Sequence, residues 1–76
     1  MITAYIPIAC SLHDEYEIAI MRKQYLYIKW FDDNNQKHVE KVLPKDILVK
    51  NREEFLVVIT QDDTVLQLRL DKITQV

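Results

Sequence analysis

No glycine occurs anywhere in this chain of 76 residues. Every reversal of direction must therefore be made by residues that carry a side chain. Asn and Asp are the usual substitutes, because they tolerate left-handed backbone angles. Their clusters mark the turns: Asp32-Asp33-Asn34-Asn35, Lys50-Asn51-Arg52 and Gln61-Asp62-Asp63. Pro44-Lys45-Asp46 breaks an extended run, and Asp71-Lys72 marks a tight corner. The same absence removes a class of function, since a Gly-rich phosphate loop cannot be built.

Between these turns the side chains follow a period of two. Tyr25 to Phe31 is rich in aromatic and β-branched residues and reads as a strand, with Leu26, Ile28 and Trp30 on one face. Lys37 to Leu43 reads as a second strand, with Val39 and Leu43 on one face and charges on the other. Ile47-Leu48-Val49 resumes an extended path beyond Pro44. Phe55 to Ile59 is apolar on both faces and is expected to be the central strand. Thr64 to Leu70 alternates, which places Leu66, Leu68 and Leu70 inward and Gln67 and Arg69 outward. Ile73 to Val76 is a short last strand.

The N-terminal quarter is different. Pro7 holds Ile6 extended. Ser11 then resembles a helix cap, with Asp14 three residues on as in a capping box. Leu12, Tyr16, Ala19 and Ile20 recur with helical spacing, predicting a helix from Leu12 to Lys23. Asp14 and Glu15 would sit in its first turn and Arg22 and Lys23 in its last, as the helix dipole favours. One helix followed by about five strands with short connections closes most easily as a small, highly bent antiparallel sheet or barrel. The helix would cover one open end.

The length suits a single domain spanning residues 1–76. Hydrophobic residues at 49% supply a core, and charged residues at 29% favour a soluble globule over a disordered tail. No apolar run approaches the ~20 residues of a membrane-spanning helix. Met1 to Cys10 carries no positive charge ahead of its apolar residues, a poor signal peptide, so a cytoplasmic protein is expected. Cys10 is the sole cysteine, which excludes an internal disulfide; it is expected to be a small buried apolar residue. With two histidines it cannot complete a four-ligand zinc site. His13 and Asp14 are adjacent and diverge on a helix, and no set of residues meets the nucleophile, base and orienter test. No enzyme activity, metal or cofactor is expected.

Charge is distributed unevenly. The net charge of −2 argues against nonspecific nucleic-acid binding, so no direct nucleic-acid contact is expected. From Met1 to Met21 the acids are Asp14, Glu15 and Glu17, whereas all 10 Lys and Arg begin at Arg22. Asp14 and Glu17 share a helix face, with Glu15 beside them. Such a surface attracts Arg and Lys of a protein partner, above all one that itself binds nucleic acid. The competing expectation is a single-stranded RNA-binding module. It would use Tyr25, Tyr27 and Lys29 on one strand face together with the basic bend Lys50-Asn51-Arg52.

Four segments, taken in order, resemble the Rof family. They are Tyr5-x-Pro7-Ile8-x-Cys10, Asp14-x-x-Glu17-x-Ala19, Glu54-Phe55-Leu56-Val57-Val58 and Leu68-Arg69-Leu70-Asp71-Lys72-Ile73-Thr74. The resemblance implies an Sm-like, highly bent β fold with an N-terminal helix. It implies a cytoplasmic bacterial protein that binds the N-terminal RNA-binding region of the terminator Rho and blocks RNA access. Sm-like folds often form rings through their edge strands, whereas an occluding inhibitor can work as a monomer, which is the expectation here. It carries the contact with Rho to Asp14 and Glu17, with Glu15 and His13 beside them and Lys50, Asn51 and Arg52 in an adjoining loop.

Overall fold

The structure, a computed structural model, describes residues 6–76. Tyr5, the first residue of the first family segment, lies outside that range. The helix α1 runs Cys10–Arg22, two residues earlier than its apolar spacing predicts. Ala9, extended at φ −61° and ψ 144°, is the N-cap and makes no side-chain cap bond. Its carbonyl instead accepts from the Leu12 and His13 amides at 3.1 and 3.0 Å. Ser11 therefore lies inside the first turn and caps nothing. Cys10, expected to be buried, is exposed on that turn, where no neighbouring element covers it. The predicted inner stripe holds: Tyr16 and Ala19 are buried, and Leu12 and Ile20 pack partly buried against the core.

Lys23 ends the helix in the left-handed region at φ 54°. Its amide donates to Ile20 and that of Gln24 to Ala19, at 3.2 and 2.9 Å. This is the double bond that closes a helix end, with lysine where glycine is usual.

The strands are β1 (Leu26–Phe31), β2 (Lys37–Lys50), β3 (Glu53–Ile59), β4 (Val65–Arg69) and β5 (Thr74–Gln75). A 3₁₀ turn, Leu70–Lys72, makes the corner before β5. They form one antiparallel sheet in the order β4-β3-β2-β1-β5. The sheet is strongly bent and open, with β4 and β5 at its two ends. The central strand is thus β2, and the expected centre, β3, lies between β2 and β4. The break expected at Pro44 is a register shift between Pro44 and Asp46, so β2 continues through it for 14 residues. Such a bulge bends a strand without ending it. The first half of β2 pairs with β1 and the second with β3.

The facing of β2 reverses the sequence expectation. Its register with β1 sets Leu26 opposite Val42 and Trp30 opposite His38. Directly opposed residues share a face, so Val42 turns inward and Val39 outward; Val42 is fully buried and Val39 is 45% exposed. The Trp30 and His38 rings stack at 5.2 Å with 14° between their planes, which fills the inner face where an aliphatic residue was expected. Arg69 was likewise expected outward. It is buried, because Glu53 and Asp71 neutralise it.

The core joins Tyr16 of α1 to Ile28, Trp30, Val42, Leu56, Val58, Leu70 and Ile73. Among the described residues the Tyr16 hydroxyl has no hydrogen-bond partner of normal geometry. Burial, then the charge of Glu15, raise its pKa above the ordinary 10.0, and the Gln75 side chain offsets only part of this.

Candidate functional site

Asp14, Glu15 and Glu17 are all exposed on α1. Because the helix begins at Cys10, none of them lies in its first turn. The helix dipole acts mainly within that turn, so it does not account for their placement. No lysine or arginine among the described residues pairs with Asp14, Glu15 or Glu17.

His13 ties this helix face to the sheet. Its Nδ1 lies 3.1 Å from Glu17 Oε1, one turn along α1, and its Nε2 lies 3.3 Å from Glu54 Oε1 at the start of β3. Glu54 follows the β2–β3 turn, so α1 and that turn meet at one end of the molecule. Asn51 and Arg52 form its tip, both left-handed at φ 52° and 64° and both exposed. The structure therefore brings together His13, Glu17 and the neighbourhood of Lys50, Asn51 and Arg52, which the sequence keeps far apart. Lys50 leans away from the helix, across the Phe55 ring at 5.4 Å and toward Gln67 at 3.5 Å. Sequence reasoning missed Glu54 as a member of this surface. It appears only as the edge of an apolar run, and nothing local signals its pairing with a residue 41 positions earlier.

Ligand atoms of His13, Asp14 and Glu17 lie within 4.8 Å of one another. That spacing could admit a cation, but both ring nitrogens of His13 already face carboxylates. A trough of about 430 Å³ is lined by Trp30, Phe31, Leu66 and Arg69 among others. The Arg69 guanidinium is held by Glu53 at 3.2 Å and Asp71 at 2.7 Å, so it is committed to the fold; Asp32, Asp33 and Lys72 also line the trough.

The expected RNA-binding set is divided. Tyr25, Tyr27 and Lys29 lie on or beside β1, whereas the Lys50-Asn51-Arg52 turn is at the far end of β2. No helix among the described residues is long and apolar enough to cross a membrane.

These features define a small Sm-like β domain, five bent strands with one acidic N-terminal helix, whose charged groups lie on its surface apart from the buried side chains of the Arg69–Asp71 pair. The family described as modulator of Rho-dependent transcription termination (ROF) matches residues 7–76, and the chain belongs to that family. No curated protein matches the chain.

Proposed function

We propose that this protein restrains Rho-dependent termination by binding Rho itself, without catalysis. Asp14, Glu15 and Glu17 take Arg and Lys of the Rho RNA-binding region that would otherwise hold phosphate. The observation that supports this most is three exposed carboxylates with no lysine or arginine partner. Carboxylates bind guanidinium with the same forked geometry that phosphate does. His13 fixes the side chain of Glu17, and Glu54 and Arg52 extend the surface. The protein acts in the cytoplasm as a monomer.

The test has two readouts. Direct complex formation with Rho is measured first, then the affinity of Rho for labelled RNA as the protein is added. Binding with displacement of RNA is expected. RNA affinity unchanged at saturating protein would sink the proposal.

A further inference from the structure

A second surface lies on the reverse side of β1 from the core. Side chains alternate along a strand, so Tyr27, Lys29 and Phe31 point away from buried Ile28 and Trp30. Tyr25, just before the strand, continues the row. The register adds residues of β2 to the same face: Lys41 opposite Tyr27, Val39 opposite Lys29 and Lys37 opposite Phe31. On the other side Thr74 of β5 lies opposite Lys29 and adds a hydroxyl. Tyr25, Tyr27 and Phe31 are 59%, 56% and 49% exposed. The ammonium of Lys41 stands 5.2 Å from the Tyr25 ring centroid.

None of Lys29, Lys37 and Lys41 is ion-paired among the described residues. Three aromatic rings and three unpaired lysines thus share one face, with no carboxylate within it, in a chain of net charge −2. Acids lie at its margins, among them Asp71, which lines a depression with Phe31 and Thr74 but is held by Arg69. Asp63 lines a depression with Tyr25 and Lys41, and Asp32 and Asp33 follow Phe31. The Asp32 carboxylate is already used by the Asn34 and Gln36 amides and by His38.

We propose that this face binds a short single-stranded RNA segment. Rings two residues apart on a strand are spaced about 7 Å, far enough for separate bases to stack. Stacking on aromatic rings with lysines along the backbone is how single strands are held without sequence preference. RNA is favoured over DNA because termination, the process named for the family, acts on a transcript. The net charge alone pointed the other way, since the sum hides a local surplus of three positive charges.

The test is fluorescence anisotropy of a labelled oligouridine with the full chain at low salt. Saturable binding is expected, with a log–log salt slope of about −2, as for three phosphates on a single strand. Lys29→Glu with Lys41→Glu is expected to abolish it, and Tyr27→Ala to weaken it about tenfold. Circular dichroism checks the fold, and Lys41→Gln, a milder change, should weaken binding and flatten the slope. No binding at low salt, or binding that these changes leave intact, overturns the proposal. Equal affinity for the matching DNA overturns the assignment to RNA. Self-association broken by the lysine changes would show the face to be covered by another copy, and also overturns it. Asp14→Asn with Glu17→Gln must leave intact both the salt slope of RNA binding and its loss on Lys29→Glu with Lys41→Glu, so loss of Rho binding and loss of RNA binding are read separately.

Discussion

Arg69 holds Asp71 through two hydrogen bonds, Nε to Oδ1 and Nη2 to Oδ2, each 2.7 Å long. Asp71 in turn accepts the Ile6 amide at 2.9 Å, which fastens the segment before α1 to the corner before β5. Both partners are nearly out of water, with side chains 8% and 7% exposed. Removing one member of such a pair leaves an uncompensated charge and costs about 3–5 kcal/mol. Arg69→Met is expected to lose that much in urea unfolding, enough to unfold much of a domain this small. Arg69 also holds the carboxyl of Asp71 below its ordinary 3.8. A depressed carboxyl adds stability that is whole above 3.8 and is lost as pH falls through the lower folded value. Acid unfolding of Asp71→Asn should accordingly be less steep than that of the parent.

Charge reversal on α1 tests the Rho surface. Asp14→Lys with Glu17→Lys should raise the half-inhibitory concentration against Rho-dependent termination roughly tenfold or more, as loss of one good charged contact implies. The melting temperature should stay close to the parent, because both residues are exposed.

Arg52 occupies a backbone conformation that suits glycine. A non-glycine residue there costs about 1 kcal/mol, and Asn-Gly is the favoured pair for a two-residue hairpin turn. Arg52→Gly should therefore raise stability by about 0.5–1 kcal/mol, a gain of several degrees in melting temperature. If the guanidinium touches Rho, inhibition falls as stability rises. A purely structural turn would leave inhibition unchanged.

Tyr16 tests the buried hydroxyl. A polar group hidden without a well-formed hydrogen bond costs about 1–3 kcal/mol, and the Gln75 side chain offsets only part of that at Tyr16. Tyr16→Phe keeps the ring and removes that cost, so the chain should gain about 1 kcal/mol in chemical denaturation, with the helical circular dichroism unchanged.

The element order was legible in the sequence because the turns could not hide in glycines. Asn35, Asn51 and Asp63, three of the five left-handed residues, fall in the clusters that predicted turns. Arg52 falls in one as well, but Lys23 had no local signal and is left-handed because the closing bonds to Ala19 and Ile20 require it. The face of β2 was not legible. Its own pattern favours Val39 inward, and only pairing with β1 reverses it, through Trp30 on His38 and Leu26 opposite Val42. That error also concealed Lys37 and Lys41 as neighbours of the aromatic row. The acidic residues of α1 were legible from charge order alone. Their link to Glu54 was not, since it crosses 41 positions.

The long bulged strand has a consequence for how the molecule comes apart. β2 is hydrogen-bonded to β1 along its first half and to β3 along its second. Neither half of the sheet can open without releasing one edge of the same strand. The domain should thus behave as a single cooperative unit, with the most protected amides in β2 exchanging only through global unfolding. The acidic end and the lysine face are then inherited together: a cut at either hairpin yields no fragment that carries one surface in folded form.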